Sequence, residues 1–176
     1  WLLGIAGVGL ALVLITIAVA IGLLRASLPK LDGELRAAGV RSSLVIERDD
    51  LGVPTITASN RLGVAYGLGF VQGQDRFFQM DLSRRMPAGE LAALLGPAAL
   101  GQDKWSRVRS SRKTAQKTLA ALPADQRQLV EAYTDGVNAG LATLGARPPE
   151  YWVLRAKPAP WLPEDNRPSA SNPAAP

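Results

Sequence analysis

The chain has 176 residues, 47% of them hydrophobic, with no cysteine, no histidine and a formal net charge of +5. The two missing residue types exclude a disulfide framework, a thiolate metal site, the usual zinc ligand sets, a cysteine nucleophile and a Ser-His-Asp triad within the sequence. They leave open a nucleophile whose base is its own α-amino group. The charge excess is local: Lys104, Arg107, Arg109, Arg112, Lys113 and Lys117 follow one another with no acid between them, and the remainder is near neutral.

Residues 1–24 carry no charge and are almost wholly Leu, Ile, Val, Ala and Gly. As a helix they would reach about 36 Å, enough to cross a hydrocarbon core of about 30 Å. A transmembrane helix acting as a signal anchor is predicted here. A cleaved signal peptide is the alternative, its apolar stretch being usually about 7–15 residues long. The sequence opens on Trp1 and not on Met, so the true N-terminus is expected upstream. Beyond the span, Arg25, Lys30 and Arg36 mix with Asp32 and Glu34, and this one flank does not set an orientation.

Residues 25–39 read as a polar connector punctuated by Pro29, Gly33 and Gly39. Val40 to Glu47 is predicted as a strand, with Val40, Leu44 and Ile46 on one face. Asp49-Asp50-Leu51-Gly52 supplies turn chemistry, and Val53 to Ala58 returns as a second strand with Pro54 at an edge or near its start. Asn60 is the expected N-cap of a helix running to about Met86. Its stripe is Val64, Leu68, Val71, Phe78 and Leu82, broadened by Tyr66, Phe70 and Phe77. Gly63, Gly67, Gly69 and Gly73 each cost such a helix about 1 kcal/mol relative to Ala. Their presence predicts close contact with another backbone, where a Cβ would not fit.

Pro87 is expected to break that pattern, residues 90–95 form a short helix, and Gly96-Pro97 ends it. Two helices follow. The first carries Val108, Ala115, Leu119 and Leu122 on one face, with the basic side chains around it. The second begins at Pro123 with the stripe Leu129, Val130, Tyr133, Val137, Leu141 and Leu144. From Arg147 the chain is proline-rich, and Tyr151, Trp152 and Trp161 are expected to dock on an apolar surface. Residues 166–176 are Pro, Ala, Ser and Asn with an Arg, and their composition predicts a disordered tail.

The polar cluster Gln74, Asp75, Arg76 and Gln79 invites a catalytic interpretation. On one helix Asp75 and Gln79 lie a turn apart, as do Asp81 and Arg85. An acid beside arginines can hold a substrate carboxylate or orient a base. The plainer alternative, which extends to Arg84 and Arg85, is a buried ion-pair network tying the helix to its neighbours. A phosphate site is disfavoured because the glycines fall inside the helix and not at its N-terminus.

Taken together, Arg48-Asp49, Gly52-Val53-Pro54, Tyr66 to Val71, Gln74-Asp75-Arg76, Gln79-Met80, Arg84-Arg85, Gly89 and Leu95-Gly96 resemble the opening of the penicillin acylase (penicillin amidase) family of N-terminal-nucleophile hydrolases. The likeness resumes over Tyr151 to Asp165, which ends in a Trp-x-Pro-x-Asp pattern. Thr55 stands where the family commonly has His. After Asp165 the chain turns into Asn166-Arg167-Pro168-Ser169-Ala170, where family members continue into a helix that walls the acyl pocket.

The resemblance implies an α+β chain, mostly helical. It would be the N-terminal part of an αββα sandwich, with a short β-hairpin over a partial domain at 40–165 and one transmembrane helix ahead of it. The implied activity is hydrolysis of an N-acyl amide, of the β-lactam side-chain or acyl-homoserine lactone class, after a precursor is cut into two chains. The new N-terminal Ser of the second chain attacks the amide carbonyl, with its own amine handling the proton. In that frame Gln74, Asp75, Arg76, Gln79, Arg84 and Arg85 belong to the scaffold, and no catalytic residue is assigned in this sequence. Ser171-Asn172 is a decoy for the start of the second chain, because Pro173-Ala174-Ala175-Pro176 cannot pair as a core strand.

No cofactor is implied. The complete family fold admits a structural calcium whose ligands are not identifiable in this sequence. The implied partners are the C-terminal portion carrying the Ser, a lipid bilayer and a small N-acyl amide substrate, with no nucleic acid. The implied location is membrane-anchored, with the domain periplasmic or otherwise extracytoplasmic. Two other readings stay open. One is a membrane-tethered, non-enzymatic module whose basic helix at 104–117 binds anionic lipid or nucleic acid; the other is an inactive truncated product.

Overall fold

The structure, a computed structural model, describes residues 1–40 and 42–166, with the backbone alone for residues 2–6. Helix α1 spans Leu2–Ala26. Its stretch Gly7–Ala26 is long and apolar enough to cross a membrane and has no buried residue, a description that a signal sequence near an N-terminus also meets.

Strands β1 (Leu44–Arg48) and β2 (Pro54–Ala58) pair antiparallel, with Leu44 opposite Ala58 and Ile46 opposite Ile56. The predicted turn chemistry closes the hairpin. Asp49 Oδ1 accepts from the backbone N–H groups of Leu51 and Val53, and Gly52 takes a φ of +77°. The first strand starts at Leu44 and not at Val40, because β2 offers only five residues to pair with. Alternation then places Leu44, Ile46, Ile56 and Ala58 on the more buried face, as expected for a half-buried sheet.

Asn60 caps the next helix as predicted, its Oδ1 accepting from Gly63 N–H at 2.9 Å. The single helix expected to Met86 is two: α2 (Arg61–Asp75) and α3 (Phe77–Ala88), separated by Arg76 at φ −144°, ψ 26°. The predicted stripe is also displaced. Val64 and Leu68 are exposed, while Tyr66, Phe70 and Val71 are buried together with all four glycines. The buried face is chosen by where another helix can approach, and that is the glycine side. Pro87 remains inside α3 as its next-to-last residue, where it forfeits a single ladder bond. Gly89, left-handed at φ +70°, terminates the helix instead.

The partner of α2 is α7 (Ala124–Ala142). A Cβ built on Gly69 would collide with the Tyr133 carbonyl oxygen, and one on Gly73 with that of Val137. Reciprocally, a Cβ on Gly136 would meet the Tyr66 carbonyl oxygen, and one on Gly140 that of Phe70. The predicted backbone contact is therefore present and two-sided. Gly63 and Gly67 serve a different neighbour, the hairpin: their Cβ positions lie 2.7 Å from Ala58 Cβ and 2.6 Å from Ile56 Cγ2. Leu144 falls beyond the end of α7 and so leaves its predicted stripe.

Helix α4 (Ala92–Leu95) is shorter than the predicted 90–95 and ends at Gly96, φ +75°. Its first backbone N–H groups are taken by Asp103, whose two carboxylate oxygens accept from Leu91 and Ala92 at 2.9 and 2.7 Å. The predicted basic helix is also two, α5 (Leu100–Val108) and α6 (Ser111–Ala121), broken at Ser110 with φ +49°. Val108 is 82% exposed and shares no buried face with Leu119. The break lets Arg107 reach the Gly89 carbonyl and Arg112 reach the Glu90 carboxylate.

Finally, α8 (Glu150–Val153) and a 3-10 turn at Pro163–Asp165 bring the chain back across α3 and α7. Tyr151 and Trp161 enter the main core with Phe77, Met80, Leu94 and Val137. Trp152, expected to dock, stays 42% exposed, since a one-turn helix directs neighbouring side chains apart and Tyr151 takes the inward direction. Asn166, the first residue of the predicted tail, is held: its Nδ2 donates to Thr134 and its Oδ1 accepts from Trp161 Nε1. Residues 167–176, including Ser171-Asn172, lie outside the described residues.

Candidate functional site

The polar residues singled out by the sequence fall into two groups. Around the α2–α3 break, Gln74 is buried and donates from Nε2 to Thr143 Oγ1 at 2.9 Å. Asp75 receives Arg48 Nη1 and Nη2, at 2.9 and 3.0 Å, so it clamps the hairpin to the end of α2. Arg48 also donates to the Gly52 carbonyl. The Asp75–Gln79 pairing does not form, because Arg76 interrupts the helix between them. Asp75, Arg76 and Gln79 instead border a cleft of about 480 Å³ with the last turns of α1 and Pro148-Pro149-Glu150.

The second group is buried. Asp81, with no exposed surface, receives Arg84 Nε at 2.7 Å and Arg85 Nε at 2.9 Å on Oδ1, and Tyr151 OH at 2.7 Å on Oδ2. Arg84 continues from Nη1 to Asp165 Oδ2 and the Pro160 carbonyl, and from Nη2 to the Ala159 carbonyl. Its guanidinium also lies 5.1 Å from the ring centre of Trp161. Arg112 adds a bidentate contact to Glu90 and a longer one, 3.4 Å, to Asp165. The Asp81–Arg85 spacing was legible. Asp165 and Tyr151, which complete the network from about 70–80 residues away, were read in the sequence only as part of a motif and as a docking aromatic.

The electrostatics follow from that geometry. Burial alone would lower the Arg84 pKa, but hydrogen bonds to Asp165 and Asp81, and their charges, carry it upward. Burial, then the hydrogen bond to Asp81 and its charge, push the Tyr151 phenol far above its ordinary range. Tyr133 is raised by burial, partly opposed by Arg76. Each of these changes strengthens the protonated form already present at neutral pH, so none creates a base. Arg84 has donors committed on all three nitrogens, and both oxygens of Asp81 are occupied. What the arrangement does is fasten the 147–166 return onto α3.

Other features offer less chemistry. Among the described residues no group of three or more His, Cys, Asp or Glu side chains converges to hold a metal. An apolar groove of about 820 Å³ runs between α6 and α7, lined by Ala115, Leu119, Leu122, Leu129 and Val130, with Arg109 and Glu164 the titratable borders among the described residues. Two of the six clustered cations are engaged internally, and the others are divided among α5 (Lys104), the break after it (Arg109) and α6 (Lys113 and Lys117). No continuous basic helix face therefore remains.

A mostly helical chain, one two-stranded sheet packed on a glycine-faced helix, and an Asp–Arg joint carrying a returning Trp-x-Pro-x-Asp segment together describe a scaffold of one kind. Residues 43–168 match the family model described as penicillin amidase, and the chain belongs to that family. It is 40% identical over 140 residues to the penicillin acylase 2 proenzyme of Pseudomonas sp. (strain SE83), covering 80% of this chain and 18% of that protein. It is 32% identical over 137 residues to the acyl-homoserine lactone acylase QuiP of Pseudomonas aeruginosa, covering 72% of this chain and 16% of that protein. Among solved structures, a thermostable penicillin G acylase from Alcaligenes faecalis aligns with a TM-score of 0.64 at 37% identity, covering 70% of this chain and 67% of that one. The chain thus spans under a fifth of the length of these curated relatives.

Proposed function

We propose that this chain is the N-terminal scaffold of a membrane-anchored acylase that hydrolyses N-acyl amides, of the β-lactam side-chain or acyl-homoserine lactone class, and that the nucleophile is carried by a separate C-terminal portion. The observation that supports this most is a contrast of coverage. The chain matches most of one chain of a solved penicillin G acylase, yet only a small fraction of a proenzyme. That is the pattern expected of a precursor cut into a shorter first chain and a longer second one.

In this reading β1 and β2 join a sheet supplied mainly by the second portion, completing the αββα sandwich. The Ser hydroxyl at the head of that portion attacks the amide carbonyl, its proton passing through water to its own α-amino group. Backbone N–H donors hold the oxyanion, the amine leaves with the proton, and water then releases the acid from the acyl-enzyme. The residues described here act before the chemistry, by holding the hairpin (Arg48–Asp75) and the return segment (Asp81–Arg84–Asp165) in fixed positions. Helix α1 holds the assembly at a bilayer with the domain outside the cytoplasm.

The test is expression of the complete reading frame, followed by assay against penicillin G and a series of acyl-homoserine lactones. Release of the carboxylic acid from at least one class is expected, in a fraction that contains two chains. A correctly folded product inert toward both would end the acylase reading. Alkaline carbonate extraction should leave the protein in the membrane pellet, and release into the supernatant would end the anchor.

A further inference from the structure

The apolar stretch of α1 stops at Ala26, and Arg25 is the first charge of the chain. Its 20 residues measure about 30 Å, close to the thickness of a hydrocarbon core. If that stretch spans a bilayer, Ala26 lies at the edge of the hydrocarbon and Arg25 reaches toward the headgroups. What is hydrogen-bonded to Ala26 is then held at the same depth. Ala146 N–H donates to the Ala26 carbonyl at 3.0 Å. The approach is close, since a Cβ on Gly145 would stand 3.2 Å from the same oxygen. The segment that follows, Pro148 to Glu150, borders the cleft made with the last turns of α1.

That segment carries an unusual surface for a soluble face. Val153 is 83% exposed, and Trp152 shows its ring beside it. Trp152 Nε1 donates to the Arg147 carbonyl, and the Arg147 guanidinium stacks 4.3 Å from the Trp152 ring centre. Arg155 and Lys157 are exposed just beyond, and between residues 147 and 157 Glu150 is the only acid. A Trp with an apolar neighbour and several cations, placed at the end of an apolar helix, matches the composition of membrane–water interfaces. Trp105 and Arg109 form a similar pair on α5 at 5.8 Å, so the pairing alone does not carry the argument. The tie to Ala26 does.

We propose that the 147–157 segment, with Trp152 and Val153 foremost, seats in the headgroup layer of an anionic phospholipid bilayer and fixes the acylase domain against the membrane. This rests on the reading of α1 as a membrane helix. Seating here would leave the domain with one orientation to the lipid and not free on a flexible tether.

The chain is free of cysteine, so single labels can be placed without removing any native residue. The full chain is reconstituted in vesicles of phosphatidylcholine and phosphatidylglycerol as Val153→Cys, Val108→Cys or Ile15→Cys, each carrying an environment-sensitive fluorophore. Val108 is equally exposed and adjoins the Trp105–Arg109 pair, but its neighbour Arg107 packs on Gly89 at the end of α3, about 15–18 Å along that helix from Phe77, Phe78 and Gln79, which border the cleft. Headgroup nitroxide lipids should quench the Val153 label several-fold more than the Val108 label, and Arg155→Glu with Lys157→Glu should reduce that difference. Quenching of Val153 no stronger than of Val108, with Ile15 still quenched by acyl-chain nitroxides, would overturn the seating and leave the anchor intact. An Ile15 label untouched by acyl-chain nitroxides would overturn both. Equal Val153 quenching in phosphatidylcholine alone would overturn the requirement for anionic lipid.

Discussion

The seam between α2 and α7 and the joint between α3 and the 147–166 return both cross the core, and they are made of opposite materials. In the seam, Gly69 and Gly73 face Gly136 and Gly140, and backbone meets backbone. It depends on atoms that are absent, so neither pH nor salt has much purchase on it. In the joint, Asp81, Arg84, Asp165 and Tyr151 occupy one another's hydrogen-bonding capacity in a space closed to water. It depends on every partner being present, because losing one strands a charge in low dielectric. The seam fails when something is added, and the joint fails when something is taken away.

That contrast can be broken in several places. The largest effect expected is at the joint: Asp81→Ala leaves Arg84 and Arg85 without their shared acceptor and should destabilise the domain by about 3–5 kcal/mol in urea unfolding. Gly69→Ala comes next. It gains helix propensity, yet its Cβ meets α7 backbone that cannot rotate away, so a net loss of about 3 kcal/mol is expected. A gain instead would show that the seam is loose.

Tyr151→Phe should cost about 1–2 kcal/mol near neutral pH by orphaning Asp81 Oδ2. Alkaline pH acts on the joint and not on the seam. The folded pKa of Tyr151 is raised, so its contribution is fully present below the unfolded value near pH 10. Above that pH the unfolded chain releases a proton that the folded one keeps, and stability falls as pH rises. A titration of unfolding free energy from pH 8 to 11.5 should show that decline steeper in the parent than in Tyr151→Phe, whereas Gly69→Ala should leave the slope unchanged.

Breaking the Arg48–Asp75 clamp with Arg48→Gln should cost only about 1 kcal/mol, since water reaches that pair. Smallest of all is Gly101→Ala in α5. Its Cβ meets nothing, so the substitution made ruinous at Gly69 should here stabilise by about 0.5 kcal/mol.

What could be read in the sequence was mostly local. The Asn60 cap, the Asp49 turn and the helix end at Gly96 each rest on residues a few positions apart. The four glycines of α2 announced a close approach, but not which helix would make it; Gly136 and Gly140 carry the answer about 70 residues later, and they passed unremarked. The stripe through Val64 and Leu68 misled because apolar side chains ordinarily mark a buried face, while here the closest packing belongs to positions without side chains. The helix breaks at Arg76 and Ser110 carry no Gly or Pro and follow from contacts made elsewhere in the fold. In the candidate site, Arg85 stood out from its spacing to Asp81, and Arg84 only as its neighbour. Asp165, the long-range partner of Arg84, and the Tyr151 hydroxyl did not, since an ion pair across 81 residues leaves no periodicity to detect. The capping of α4 by Asp103 was missed for the same reason.

In the proposed division of labour, this chain holds the acylase together while another portion of the protein carries the nucleophile. The most direct measurement treats the complete gene product with phenylmethylsulfonyl fluoride and locates the adduct by mass spectrometry. One sulfonyl group is expected, on the N-terminal Ser of a chain other than the one containing Arg48 to Gly96, with activity lost in proportion. A stoichiometric adduct on a serine of this sequence, such as Ser83 or Ser106, with the same loss of activity, would contradict it.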